Sequence, residues 1–163
     1  MNDYGIVSSE ANNVFSIKNI LHIAIKCADL KKTIKFYCEV LGLFIVERPP
    51  FGYPGAWLAN LENHPIIHLY GGMQGLASNG NPFSDTGSID HISLMCEGFS
   101  GLLSRLKRNH IVWREFRVPN TDLYQIFCYD PNRVLLELTF LSSKEGIDER
   151  TYLENKYIAG TSF

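Results

Sequence analysis

The chain has 163 residues, a formal net charge of −2 and a pI near 6.2, and 45% of its residues are hydrophobic. This length and composition suffice to bury one sizeable core or two small packed modules. The nearly balanced charge, without a stripe of Lys or Arg, argues against nucleic acid or an anionic membrane as a partner, so we expect a small molecule. No segment has the apolar length of a membrane span and the N-terminus is too polar for a secretory signal, so a cytoplasmic protein is expected.

The first half of the chain predicts a strand, a helix and three further strands after an N-terminal extension over residues 1–17. Residues 19–26 alternate and are rich in β-branched side chains, which is typical of a strand. Asp29 is then expected to cap an amphipathic helix that ends at Gly42. Turn-forming segments rich in Pro, Gly and Asn separate the remaining strands. These strands are predicted over 43–47, 56–60 and 66–70.

The second half repeats this order of elements. Residues 71–88 are rich in Gly, Asn and Ser, so they are expected to form a linker without an element of its own. A strand over 89–96 and a helix over 99–109 follow. Three more strands are predicted over 111–116, 123–129 and 134–140. Element order and spacing, rather than residue identity, therefore predict two modules over 18–70 and 89–141, which together form one domain over 18–141 with a C-terminal tail over 142–163.

Four polar residues occupy matching places in these two modules. His22 and His91 lie in the first predicted strand of each half and are 69 positions apart, and His68 and Glu137 lie in the last strands, also 69 apart. Each of the four interrupts an apolar strand. A buried carboxylate without a partner is costly, so Glu137 must meet a cation, a hydrogen-bond donor or a metal. If each module forms half of a barrel, a pseudo-two-fold axis would bring the four positions together.

The matched spacing favours a metal site. A single histidine in a strand is more often an ordinary core or surface residue, but this interpretation does not explain a common offset. Two histidines and one carboxylate on one face suit a divalent first-row metal and leave positions open for a substrate. We therefore predict that His22, His91 and Glu137 are metal ligands.

Several segments carry a resemblance to a known superfamily. They are LHIAIKCADLKKTIKFYCEVLGL, PPFGYPGAWL, PIIHLY, IDHISL and LYQIFCYDPNRVLLELTF. Over about residues 18–141 the chain resembles the vicinal-oxygen-chelate superfamily, which contains glyoxalase I, type I extradiol dioxygenases, fosfomycin-resistance proteins, methylmalonyl-CoA epimerase and metal-free bleomycin-resistance proteins. The resemblance implies an α+β fold in which two βαβββ modules with pseudo-two-fold symmetry form a curved, barrel-like sheet around a metal site.

The resemblance also implies an activity. The metal positions of the superfamily fall on His22, His91 and Glu137, and the remaining position falls on His68. Glyoxalase I usually has Glu or Gln at that position, whereas extradiol dioxygenases have an acid/base histidine there. A metal-dependent enzyme that chelates two vicinal oxygens is therefore expected, with extradiol-type dioxygenase chemistry favoured and His68 as a catalytic acid/base or a fourth ligand.

Two alternatives remain open at this point. The first is a glyoxalase-like lyase or isomerase, for which Ni, Co or Zn would be expected, whereas Fe or Mn would fit a dioxygenase. The second is a metal-free drug-binding resistance protein, which would have no need of the three ligands together. Fold analogy does not decide among these chemistries.

Candidate substrate-binding residues lie in the predicted loops and beside them. For the aromatic ones, ordinary core packing is the competing interpretation, and a loop arginine could equally be solvated. The candidates are Phe51, Tyr53, Trp57, Arg117, Tyr124 and Gln125. A homodimer is also expected, because a symmetric partner would cover the open edges of two small sheets. The modules could pair within one chain or between two chains.

Overall fold

The computed structural model describes residues 15–147 and 155–163, so the N-terminal extension and the C-terminal tail lie partly outside the described residues. The first module contains β1 (Ile23–Lys26), α1 (Leu30–Glu39), β2 (Phe44–Val46), β3 (Gly55–Ala59) and β4 (Pro65–Tyr70). The second module contains β5 (Ile92–Met95), α2 (Phe99–Arg108), β6 (Trp113–Arg117), β7 (Leu123–Tyr129) and β8 (Leu135–Leu141). A short helix, α3 (Ser142–Glu145), follows the last strand. Among the described residues, no helix is both long enough and apolar enough to cross a membrane.

The two modules form two four-stranded sheets with the same topology. The strand order is β1-β4-β3-β2 in the first sheet and β5-β8-β7-β6 in the second. In each sheet the first strand pairs parallel to the last strand of its module, and the other pairs are antiparallel. This topology confirms the prediction of two βαβββ modules. In the part of the chain that the structure describes, the expected barrel-like sheet is not formed, because β1 and β5 are edge strands and the two sheets are not closed on each other.

The ends of some elements differ from the prediction. His22 and His91 lie directly before β1 and β5 rather than inside them, because strand pairing begins at Ile23↔Ile67 and at Ile92↔Leu136. The linker contains a 3-10 turn over Gly72–Gly75, where no element was expected. A Cβ atom at Gly75 would lie 2.2 Å from the carbonyl oxygen of Cys27, so the glycine at this position permits the two backbone segments to approach closely. The composition of the linker does not reveal this contact.

Helix α1 begins at the predicted cap and ends at Glu39, shortly before the predicted glycine. The Asp29 side chain accepts a hydrogen bond from the backbone N–H of Lys32 at 2.9 Å, and Gly42 adopts a φ of +75° after the helix. Phe36 and Tyr37 on its inner face are buried in a core that both modules share. Burial raises the pKa of two core thiols, to about 11 for Cys27 and about 12 for Cys128, and all four cysteines are free.

The turn between β7 and β8 joins the second module to α1. The buried carboxylate of Asp130 accepts hydrogen bonds from the hydroxyl of Tyr37 at 3.2 Å and from the backbone N–H groups of Asn132 and Val134 at 2.7 and 2.9 Å. The side-chain amide of Asn132 also donates to Thr33 Oγ1 at 3.1 Å. Burial raises the pKa of Asp130. This aspartate thus satisfies donors from both modules.

We expect Asp130→Ala to lower the free energy of unfolding by about 2–4 kcal/mol, because several buried donors would lose their acceptor together. Between the ordinary pKa of an aspartate and the raised pKa of Asp130, the folded state holds a proton that the unfolded state has released, so stability falls as the pH rises across this range. The variant should lose this decline. Urea unfolding at several pH values measures both effects. Glu62→Ala, at an exposed carboxylate between β3 and β4, is the control and should change stability by no more than about 0.5 kcal/mol. Equal losses for the two variants would contradict the role of Asp130.

Candidate metal centre

Each sheet has one face packed against the core and an opposite face, here called the open face. On the open face of the first sheet, His68 is the register partner of Ala24 on β1 and of Trp57 on β3. On the second sheet, Glu137 is the register partner of Ser93 on β5 and of Phe127 on β7. His68 and Glu137 therefore occupy equivalent positions, as their common offset predicts.

His22 and His68 form the first half-site. Their rings stack with centroids 3.8 Å apart, and the Trp57 ring stacks on His68 at 4.3 Å. His68 is only 8% exposed, and its Nε2 atom is buried without a hydrogen-bond partner among the described residues. Burial lowers the pKa of His68, and the neighbouring His22 lowers it further. The first half-site thus contains a buried imidazole nitrogen without a hydrogen-bond partner among the described residues, which is unusual for a histidine with only a structural role.

His91 and Glu137 form the second half-site. Glu137 Oε2 lies 3.2 Å from His91 Nε2, and Asp90 Oδ1 lies 2.7 Å from the other ring nitrogen, Nδ1. The remaining oxygen of Glu137, Oε1, accepts hydrogen bonds from the hydroxyls of Ser93 at 2.5 Å and Thr139 at 2.9 Å. A carboxylate that holds one ring nitrogen directs the other toward a ligand, which is the usual environment of a metal-binding histidine. Both side chains of this half-site are therefore oriented by neighbours.

The structure does not bring the predicted ligands into one cluster. In residues 15–147 and 155–163, no group of three or more His, Cys, Asp or Glu side chains is arranged to hold a metal ion. Convergence of His22, His91 and Glu137 was expected, with pairing of the modules within one chain or between two left open, and among the described residues of this chain it is not seen. The two half-sites stand on two sheets that are not closed on each other, which is the physical reason. The assignment of these residues as ligands stays a prediction.

Three of the predicted substrate-binding residues form a cluster beside the first half-site. The ring of Phe51 lies 5.7 Å from that of Tyr53 and 6.3 Å from that of Trp57. The guanidinium of Arg48, which sequence reasoning missed, lies over Phe51 at 4.7 Å and over Tyr53 at 4.9 Å. Because Trp57 also stacks on His68, this aromatic cluster contacts the imidazole directly.

The other three candidates divide between the two faces of the second sheet. Gln125 lies on the open face, where Thr139 is its register partner. Tyr124 is fully buried on the opposite face and packs against Phe99 with ring centroids 5.4 Å apart. Arg117 is the register partner of Tyr124 on that same face, and its guanidinium donates to Ser142 Oγ at 3.3 Å. Tyr124 and Arg117 therefore do not lie on the open face, because adjacent strand residues point to opposite faces. The assignment of all six candidates to a substrate site stays a prediction.

Sequence reasoning also missed residues that support the second half-site. Asp90 stands beside His91 in IDHISL, and Thr139 follows Glu137 by two positions, so adjacency and strand parity were available signals. Phe127 could have been found by the same alternation along β7. Tyr157, which stacks on Phe127, lies in the polar tail, where no periodic pattern indicates its position.

Comparisons with known proteins agree with this fold. The family model described as Glyoxalase/Bleomycin resistance protein/Dioxygenase superfamily matches residues 19–138. An Arabidopsis thaliana protein named Glyoxylase I 4 is 25% identical over 140 residues, which cover 81% of this chain and 76% of that protein.

Two solved structures are similar in fold. A putative glyoxalase family protein from Bacillus anthracis has a TM-score of 0.61 at 16% identity, with 79% of this chain and 99% of that chain covered. An antibiotic binding protein from Streptomyces sp. CB03234 has a TM-score of 0.58 at 16% identity, with 79% and 100% covered. At these identities the likeness concerns the fold alone.

Proposed function

Because the chain belongs to the Glyoxalase/Bleomycin resistance protein/Dioxygenase superfamily, we propose that it is a metal-dependent enzyme acting on a small substrate through two vicinal oxygens. His22, His91 and Glu137 would hold the divalent metal. The observation that carries this proposal is the second half-site, in which Asp90 orients His91 toward the buried Glu137 carboxylate. When bound, the metal would supply Lewis-acid stabilisation to oxyanions that the substrate develops.

The donors of the two half-sites fit such a metal. Imidazole nitrogens and one carboxylate are ligands suited to divalent first-row metals. His68 Nε2 is buried without a hydrogen-bond partner among the described residues, so this nitrogen is available to bind the metal or to exchange a proton with a substrate. Ser93 and Thr139 occupy only one oxygen of Glu137, and the other oxygen faces His91.

A second copy of the chain would complete the centre. The half-sites lie on separate sheets, and among the described residues β1 and β5 each pair with a strand on one side only. Four apolar side chains just before β1 are each at least 78% exposed, namely Phe15, Ile17, Ile20 and Leu21. Exposed apolar side chains beside an open edge favour a symmetric partner. We therefore propose a homodimer in which the first half-site of one copy faces the second half-site of the other.

His68 is the proposed acid/base of the reaction. Its Nε2 atom is buried and unpartnered among the described residues, so it can exchange a proton with a substrate oxygen that comes within hydrogen-bond reach. Stacking between His22 and Trp57 holds the ring in place. A histidine at this position, rather than a carboxylate, favours extradiol-type dioxygenase chemistry on a vicinal diol.

The second candidate is a glyoxalase-like lyase or isomerase, which the resemblance to the Arabidopsis protein named Glyoxylase I 4 favours. In that reaction His68 would be a fourth ligand. Elemental analysis of the purified protein separates the two, since Fe or Mn is expected for oxygen chemistry and Ni, Co or Zn for a lyase or isomerase. Protein that takes up none of these metals would instead support a metal-free drug-binding protein.

We expect His68→Ala to retain bound metal but to lose turnover by about 10²–10⁴-fold, because it removes a proton-transfer group and leaves the three ligands. Turnover is screened with catechol and with a hydroxy-carbonyl compound, and metal content is measured on the same samples. His64→Ala is the control, since His64 is an exposed histidine in the preceding turn. Loss of the metal in His68→Ala would instead make His68 a ligand and would favour the lyase.

A further inference from the structure

The C-terminal segment, residues 155–163, is attached to the second sheet although it lies outside the repeated modules. The backbone N–H of Glu115 donates to the carbonyl of Asn155 at 2.7 Å, and the N–H of Tyr157 donates to the carbonyl of Glu115 at 2.8 Å. Because β6 is the outer strand of its sheet, the segment extends this sheet by a short parallel bridge. Its backbone is thus fixed at a free edge.

The Tyr157 side chain crosses from this edge onto the open face. Its ring stacks on Phe127 with centroids 3.7 Å apart and an interplanar angle of 11°, and the residue is 7% exposed. Phe163 provides a second anchor, since its ring lies 5.1 Å from that of Tyr129 and under the guanidinium of Arg114 at 4.9 Å. Two aromatic contacts therefore hold the segment over β6 and β7.

Tyr157 lies next to the second half-site. Phe127, on which it stacks, is the register partner of Glu137 and meets the ring of His91 edge-on at 6.0 Å. Burial raises the pKa of Tyr157, and the charges of Asp90 and Glu137 raise it further, which is consistent with a phenol close to both carboxylates. Phe127 therefore links the C-terminal segment to His91 and Glu137.

A cavity of about 300 Å³ lies between this segment and the linker. Tyr157, Asp90, Arg133 and Thr161 are among the residues that line it. Small-molecule sites begin at about this volume, which is enough for a single substituted ring. His91 and Glu137 do not line the cavity themselves, but Asp90, which contacts His91, connects the cavity to the second half-site.

We propose that Tyr157 is a specificity-determining residue whose ring limits the size of the group that a substrate can place in this cavity. The proposal rests on the proposed function, since it assumes that substrate binds at the second half-site. The substrate would direct its vicinal oxygens toward the metal that His91 and Glu137 would help to hold, and its non-reacting substituent against Tyr157. The C-terminal segment thus contributes to the lining of this cavity a residue that belongs to neither of the two repeated modules.

The test compares two vicinal diols of different size, catechol and 4-tert-butylcatechol, by isothermal titration calorimetry on the full chain, both metal-free and loaded with Co²⁺. Wild-type protein should bind catechol more tightly, and Tyr157→Ala should reduce this preference by about tenfold, because the bulky group gains room. Tyr157→Phe keeps the ring and should keep the preference. Ile158→Ala is the matched control, since Ile158 is an exposed neighbour in the same segment.

Circular dichroism checks the fold of each variant, and Tyr157→Leu replaces Tyr157→Ala if the smaller side chain prevents folding. An unchanged preference in the smaller variant, an equal change in Ile158→Ala, or no saturable binding of catechol by either form of the protein would overturn the proposal. Failure of wild-type protein to take up Co²⁺ would overturn the proposed function instead. The preference measured on metal-free protein would still decide the role of Tyr157.

Discussion

Glu137→Gln is expected to weaken metal binding by at least about a hundredfold and to abolish turnover. An amide replaces the only carboxylate among the predicted ligands, and even changes behind the ligands of a metal cost about 10–100-fold in affinity. The fold should survive, because the amide oxygen of glutamine can accept the hydrogen bonds that Ser93 and Thr139 donate to Oε1. Titration with Co²⁺, followed by its visible absorption, measures the affinity of each variant.

Glu115→Gln is the matched control for this variant. Glu115 is a buried carboxylate of the same sheet but lies on the core-packed face, where it accepts hydrogen bonds from Trp113 Nε1 at 2.8 Å and from the Tyr124 hydroxyl. Its replacement should lower stability and leave Co²⁺ affinity unchanged. If Glu115→Gln weakens Co²⁺ binding and Glu137→Gln does not, the metal centre has been assigned to the wrong face of the sheet.

A mixture of two inactive chains is expected to regain metal binding if the centre forms between copies. One chain carries His22→Ala with His68→Ala, and the other carries His91→Ala with Glu137→Ala. In a mixed dimer, one centre combines both damaged half-sites and the other combines both intact half-sites. The mixed dimer should therefore hold about one metal ion, whereas each parent dimer should hold none.

Co-expression with two affinity tags isolates the mixed dimer for metal analysis, and light scattering reports the oligomeric state of each preparation. Restored metal binding requires ligands from different chains, because every single chain in the mixture lacks one half-site. No recovery in a mixed dimer whose parents are both folded would contradict the shared centre. Wild-type protein that scatters only as a monomer at micromolar concentration would contradict the dimer itself.

The features recovered from the sequence are those that local patterns determine. The Asp29 cap and the end of α1 near Gly42 follow from residues a few positions apart, and the equivalence of His68 and Glu137 follows from a common offset. Tyr124 and Gln125 were both candidates for the substrate site, but as adjacent residues of β7 they point to opposite faces of the sheet. Strict use of strand alternation would have separated these two candidates and placed Gln125 on the same face as Glu137.

The features that were missed depend on contacts between distant parts of the chain. The two sheets would close on each other only if the free edges of β1 and β5 paired with another strand. The sequence of neither strand specifies which strand that would be. The position of Tyr157 depends on a bridge to Glu115, which is 42 positions away in the chain. A polar tail with scattered aromatic residues has no periodicity from which such a contact could be inferred.

The last strands of the two modules place different chemistry at one equivalent position, an imidazole at His68 and a carboxylate at Glu137. In a dimer joined as proposed, a centre with identical halves would bind a substrate equally well in either of two opposed orientations. The His68 imidazole on one side and the Glu137 carboxylate on the other make the two orientations unequal, because the carboxylate repels the more acidic of the two neighbouring oxygens. The duplicated scaffold can therefore distinguish the two ends of a nearly symmetric molecule.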